Sequence, residues 1–237
     1  MKKILGANIK NFIVKSIHKD QTKEWLLKKH YARRIPSIVY SFGLFQNHEL
    51  IGVCTYGQPP AENVLLLCGE KYKKHTLELN RLIKNDGLPK NTQSWFVAQT
   101  FKLLPKPFIV VSYADPNNGH FGYTYQALNF LYTGEGGSDK EYVFNGYQYT
   151  SRHIKDYWFK NKNLPYDADK TIDQNFTAVG GEIIKMSKKK RYVIFLGDKR
   201  QKKDMRKNLI WPVLPFDKGQ NSYYDTSHKT TTQIELF

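Results

Sequence analysis

Cysteine is nearly absent: Cys54 and Cys68 stand alone, with no CxxC pair, so neither a disulfide framework nor a zinc ribbon is encoded and both are expected as reduced core thiols. No run approaches the roughly 18 apolar residues of a spanning helix. The opening Met1–Gly6 is basic without the apolar stretch of a signal peptide. A cytoplasmic protein with no membrane partner is expected. The seven histidines show no HxxxH or similar spacing, so no metal is expected. Acidic residues are scarce, 21 against 37 Lys and Arg, for a net charge of +16.

What is present is material for a core. Hydrophobic residues make up 40% of the 237, with 16 Tyr, 14 Phe and 4 Trp, which excludes wholesale disorder. The length suits one large domain, at about 100–200 residues per domain. The charge excess is concentrated in two segments. Residues 1–34 carry ten Lys/Arg against Asp20 and Glu24, and residues 188–207 carry ten against Asp198 and Asp204. Two such patches point to a polyanion, with phosphate backbone as the natural partner.

The pattern along the chain predicts a strand over Phe12–Ile17 and a helix over Lys19–Arg33 that Pro36 closes. A hairpin of Ser37–Phe45 and Glu49–Tyr56 follows, turning at Gln46-Asn47-His48. His75–Leu82 reads as a strand, Asn91 or Thr92 as the cap of a helix to about Leu104, Phe108–Tyr113 as a buried strand, and Gly122 to about Leu131 as helical. Together these form a βαβα unit. Glu141–Tyr149 and Tyr192–Leu196 are further strands, separated by a polar insertion over 151–178. A single domain over 1–216 is expected, followed by a polar, mobile tail over 217–237.

Four motifs stand out: His30-Tyr31-Ala32-Arg33-Arg34-Ile35-Pro36; Glu78-Leu79-Asn80-Arg81-Leu82; Leu88-Pro89-Lys90-Asn91-Thr92-Gln93-Ser94-Trp95-Phe96; and Val111-Ser112-Tyr113-Ala114-Asp115 followed by Gly119-His120-Phe121-Gly122-Tyr123-Thr124-Tyr125. As a set they resemble the Mom family of phage DNA-modification proteins, over about residues 12–134 with a looser match at Lys190–Pro215. The resemblance implies a GNAT-like acyltransferase fold of α/β (α+β) class, a mixed and mainly antiparallel sheet flanked by helices. It also implies transfer of a carbamoylmethyl group to the exocyclic amine of adenine in duplex DNA, protecting that DNA from restriction. It further implies Asp115, Tyr125, Ser94 and Arg81 as catalytic positions, and Tyr31, Asn80, Asn91, Ser112, Tyr113 and His120 as substrate- or donor-binding positions.

The residues can support such chemistry. An adenine amine is a poor nucleophile, so a catalyst must extrude the base, orient it and accept a proton. Asp115 follows the apolar strand where a loop opens, and either accepts that proton or caps the Asp-Pro-Asn-Asn-Gly turn. Tyr125 is either a proton donor to the leaving group or a core tyrosine. Arg81 can hold an anionic group; an ion pair with Glu78 is not expected, because strand neighbours three apart face opposite sides. Ser94 is either an anion ligand or a plain cap at a helix start. Arg33, Arg34, Lys188, Lys189, Lys190, Arg191, Lys199, Arg200, Lys202 and Lys203 are the expected DNA contacts.

The connection from Lys84 to Ser94 departs from the Gln/Arg-x-x-Gly-x-Gly/Ala pyrophosphate loop of GNAT enzymes, which leaves acyl-CoA in doubt and the cofactor open. An acyl-CoA-dependent N-acetyltransferase and a non-catalytic DNA-binding adaptor remain as alternatives. The closing Gln233-Ile234-Glu235-Leu236-Phe237 is similar to the short peptide by which bacterial proteins dock on the sliding clamp, with Gln233, Leu236 and Phe237 as anchors.

Overall fold

The computed structural model describes residues 9–137, 140–149, 153–154 and 158–216. A short strand β1 (Ile13–Ser16) leads into helical turns at Lys19–Thr22 and Trp25–Lys29. The helix expected over Lys19–Arg33 stops early: Trp25 and Leu26 are buried, but His30 is already extended. Strands β2 (Tyr40–Gln46) and β3 (Glu49–Gly57) form the expected hairpin, with Asn47 and His48 both at positive φ, as a two-residue turn between twisted strands requires.

Next come α1 (Glu62–Leu65), β4 (Thr76–Lys84), α2 (Thr92–Leu103), β5 (Phe108–Ala114), the single turn α3 (Tyr123–Gln126) and β6 (Leu131–Gly136). The helix expected to reach Leu131 is cut short because Asn129 is left-handed and Leu131 opens a strand. Asn91 does not cap α2 through its side chain; it sits at φ 66° with no capping hydrogen bond.

The chain continues through β7 (Lys140–Phe144), β8 (Tyr147–Tyr149), α4 (Phe159–Asn161), α5 (Ile172–Ala178), β9 (Glu182–Lys185), β10 (Lys189–Leu196) and α6 (Lys199–Lys207). The strand expected over Glu141–Tyr149 is a hairpin, broken at Asn145-Gly146 with both residues at positive φ. Asp198 starts α6 with a reciprocal capping box to Gln201.

The main sheet runs β1-β2-β3-β4-β5-β10-β6, with every pair antiparallel except β4–β5. It is the mixed, mainly antiparallel α/β arrangement expected from the sequence. Alternation along β5 sends Val110 to one face and Ile109 and Val111 to the other. Phe96 and Val97 of α2 pack on the first face with Tyr56 and Tyr192, and Met205 of α6 packs on the second with Val193 and Phe195. The strands thus form a buried layer between helices.

A second sheet, β8-β7-β9, lies in the excursion between β6 and β10, where Lys189 pairs with Gly136. Its own core is Tyr142, Ile154, Trp158, Phe159 and Phe176, so the stretch over 151–178 contributes aromatic packing as well as polar surface. Among the described residues no helix is long and apolar enough to cross a membrane. The proposed clamp anchors Gln233, Leu236 and Phe237 lie outside the described residues.

Candidate active site

The parallel pairing of β4 and β5 lasts only from Thr76↔Ile109 to Glu78↔Val111. Beyond it β4 stays with β3 while β5 stays with β10, and the two part. Where their backbones separate, the Ser112 hydroxyl donates to the Leu79 carbonyl at 2.9 Å. The opening is a cleft of about 360 Å³ at the carboxyl ends of both strands.

A β-bulge decides what β4 sends into it. Thr55 pairs with Arg81 and Tyr56 with Leu79, so Asn80 is an extra residue in the ladder. The extra residue resets the alternation, and Glu78 and Arg81 both line the cleft. The expectation that they face opposite sides is corrected on this ground. Asn80 is held by its own amide, which accepts from the Thr55 hydroxyl at 2.6 Å and donates to the Ser37 carbonyl at 2.8 Å.

Other segments complete the walls: His30, Tyr31 and Arg34 after the first helical turns; Gln93 of α2; Tyr113 and Ala114 at the end of β5 and Gly119 to Tyr125 after it; and Lys189 at the start of β10. Tyr31 makes tilted ring contacts with two imidazoles, its centroid 4.3 Å from that of His30 and 5.9 Å from that of His120. Gly122 is required where it stands. Its φ is +88°, and a Cβ there would lie 2.2 Å from the Tyr192 hydroxyl, which donates to the Phe121 carbonyl.

The cleft is electropositive. Burial, and then the charges of Arg81, His120, Lys189 and Arg34, pull the His30 pKa down to about 4. His30 is therefore neutral at pH 7, and its Nδ1 accepts from the Ala32 N–H. Glu78 is the carboxylate within the cleft. Burial raises its pKa, against the opposing pull of Arg81, Lys189 and Arg34. Tyr113 is pushed up to about 12 by burial and by Glu78. Tyr125 is raised further, mainly by burial, and hydrogen-bonds Ser112.

Of the residues singled out from sequence, Tyr31, Arg34, Asn80, Arg81, Tyr113, His120, Tyr125 and Lys189 come together here. Asp115 does not line the cleft. It is 6% exposed, accepts from the Asn117 backbone N–H and side-chain amide, and pairs with Lys189 at 3.2 Å. Burial raises its pKa, but Lys189 and the hydrogen bonds from Asn117 and Asn118 outweigh it, so Asp115 is held below the ordinary value.

Ser112 lies beneath the cleft. Asn91 and Ser94 stand at the start of α2, where Ser94 donates to the Asn91 carbonyl at 3.1 Å and only Gln93 reaches the cleft wall. Sequence reasoning passed over Gln93, His30 and Glu78, although all three lie inside the motifs already quoted.

The basic residues divide. Arg33 and Lys188 are exposed. Lys190 is buried with its ammonium over the Phe121 ring, and Arg191 lies 3.6 Å over Trp211 while donating to Thr133. Lys199, Arg200, Lys202 and Lys203 are exposed on α6, across the sheet from α2. The single basic segment read from sequence is thus a cleft-side group and a separate helix.

At the connection between β4 and α2 the Thr92 N–H is spent on the Pro89 carbonyl, and the Thr92 and Ser94 hydroxyls are turned onto the Pro89 and Asn91 carbonyls. Among the described residues no group of three His, Cys, Asp or Glu side chains is placed to hold a metal ion.

A model of the Mom protein family matches residues 11–217. The methylcarbamoylase mom of Escherichia phage Mu is 30% identical over 139 residues, a match spanning 55% of this chain and 57% of that relative. Among solved structures, an N-acetyltransferase from Staphylococcus aureus Mu50 aligns over 79% of this chain and 99% of its own at 13% identity and a TM-score of 0.41. A GNAT family acetyltransferase from Elizabethkingia anophelis aligns over 78% and 99% at 11% identity and a TM-score of 0.38.

Proposed function

The chain belongs to the Mom protein family, and from that premise we propose that it is a DNA-modification transferase. It places a carbamoylmethyl group on the exocyclic amine of adenine in duplex DNA, and so shields that DNA from restriction in the host cytoplasm. The observation that carries the reading is the cleft at the parting of β4 and β5. There an exposed tyrosine, a partly buried carboxylate and three cations converge.

An extruded adenine stacks on Tyr31, whose side chain is 48% exposed beside His120. Arg34 and Lys188 meet the DNA backbone. The amine nitrogen attacks the methylene carbon of a donor that carries the carbamoylmethyl group on a leaving group, and the C–N bond forms as the bond to the leaving group breaks. The amine proton passes to Glu78, the carboxylate that faces the cleft. Arg81 holds an anionic part of the donor, and the Tyr125 phenol gives the leaving group its proton.

Nucleoside mass spectrometry of plasmid DNA from cells expressing the chain, beside a Glu78→Gln control, tests the reading. A new deoxyadenosine adduct that is strongly reduced in the Glu78→Gln control is expected, and its mass identifies the transferred group. Unmodified deoxyadenosine from well-expressed protein overturns it in favour of an acetyltransferase or a DNA-binding adaptor. The peptide Gln233–Phe237 docks the enzyme on the sliding clamp, and its deletion is expected to abolish recovery of the clamp in a pull-down.

A further inference from the structure

Two carboxylates stand near the parting of the strands, and they differ in what surrounds them. Glu78 lines the cleft, whereas Asp115 lies behind it with its side chain 8% exposed. One Asp115 oxygen takes two donors from Asn117 and the other faces the Lys189 ammonium at 3.2 Å. Lys189 is the member of this pair that lines the cleft, and its side chain is 38% exposed.

The surrounding bonds tie the pair into the fold. Asn117 donates to the Ser187 carbonyl and accepts from the Ser187 N–H, so the turn after β5 is stitched to the chain that enters β10 two residues before Lys189. The Asp115 carbonyl also accepts from the His120 N–H, which fixes the start of the loop that lines the cleft.

We propose that Asp115 is a positioning residue that acts on substrate only through Lys189: its carboxylate holds the Lys189 ammonium in the cleft, where Lys189 binds a phosphate of the extruded nucleotide. The inference rests on the DNA-modification reading and assigns both residues roles within that site. Lys189 thereby leaves the general basic surface and becomes a fixed cation. Asp115 is freed of a proton-accepting role for which its engaged oxygens and lowered basicity leave it poorly suited.

The test is a double-mutant cycle on the full chain with Asp115→Asn, Lys189→Met and the pair combined. Asn retains the oxygen that caps the turn but not the charge, so the loop stays folded. Affinity for an adenine-containing duplex is measured across a salt series, and adduct formation is measured at saturating DNA. Each single variant is expected to weaken DNA binding roughly tenfold. Each should lower the slope of log K against log salt by about one, and the double variant should be no worse than either.

The proposal is overturned if the two losses multiply, or if Asp115→Asn abolishes adduct formation at saturating DNA while Lys189→Met does not. It is also overturned if Lys189→Met leaves the salt slope unchanged, which would place the ammonium on the donor instead. The affinity cycle needs no chemistry. If wild-type protein forms no adduct, the DNA-modification reading fails while the cycle still decides how Asp115 and Lys189 act.

Discussion

Glu78 and Arg81 stand three apart on one strand and line the same cleft, because Asn80 is an extra residue in the ladder between β3 and β4. A regular strand would send one of them to the opposite face. The bulge puts a partly buried carboxylate and a guanidinium on one wall, where Arg81 opposes the rise in the Glu78 pKa that partial burial causes.

Replacing Glu78 by Gln is expected to lower the rate of adduct formation by about 10²–10⁴-fold, the usual worth of a positioned proton acceptor. Burial raises the Glu78 pKa, so its contribution to stability is present below the unfolded value of 4.5 and lost as pH rises through the folded value. Gln removes that loss. Thermal unfolding of Glu78→Gln should therefore show a higher midpoint than wild type at pH 7, and the advantage should vanish at pH 4.

His30 remains neutral until the pH approaches 4, whereas in the unfolded chain it takes up a proton near 6.5. The folded state binds fewer protons between those values, so stability present above 6.5 is lost as pH falls toward 4. An NMR titration of the imidazole resonances should give His30 a midpoint near 4. A midpoint near 6.5 would mean that the cleft does not exclude the charge.

Gly122→Ala is expected to cost roughly 1–3 kcal/mol from the left-handed backbone alone. The added methyl must also displace the Tyr192 ring, whose hydroxyl holds the Phe121 carbonyl. The thermal midpoint should fall, and adduct formation should fall with it, because the loop from Gly119 to Tyr125 carries one wall of the cleft.

Lys199, Arg200, Lys202 and Lys203 lie on a helix that Met205 anchors to the face of the sheet opposite α2. Their joint replacement by Gln is expected to weaken duplex binding and reduce its salt dependence, with a slope change of about 0.9 for each phosphate no longer neutralised. The rate at saturating DNA should be unchanged, since none of the four lines the cleft. An unaltered salt slope would remove α6 from the DNA interface.

The order of strands and helices was legible from sequence because it rests on local patterns: the hairpin of β2 and β3, the apolar run of β5, the helix at Thr92. Less legible were the places where one residue changes the geometry. The left-handed Asn129 ends a helix early, and Asn145-Gly146 splits a strand in two. Asn-Gly carries a turn signal that the surrounding β-rich run obscured.

Composition and motifs by themselves determined a basic α/β protein and drew attention to Tyr31, Asn80, Arg81, His120 and Tyr125, since residue type and spacing are written in the chain. Only the tertiary structure decided that Lys189 belongs in the cleft, that Asp115 lies behind it, and that Lys199–Lys203 belongs to another face. The physical reason is that each depends on pairing between distant segments. The register of β10 against β5 sets Lys190 opposite Ala114 and brings Lys189 beside Asp115, 74 positions away in sequence, and the bulge opposite Thr55 exists only once β3 and β4 have paired.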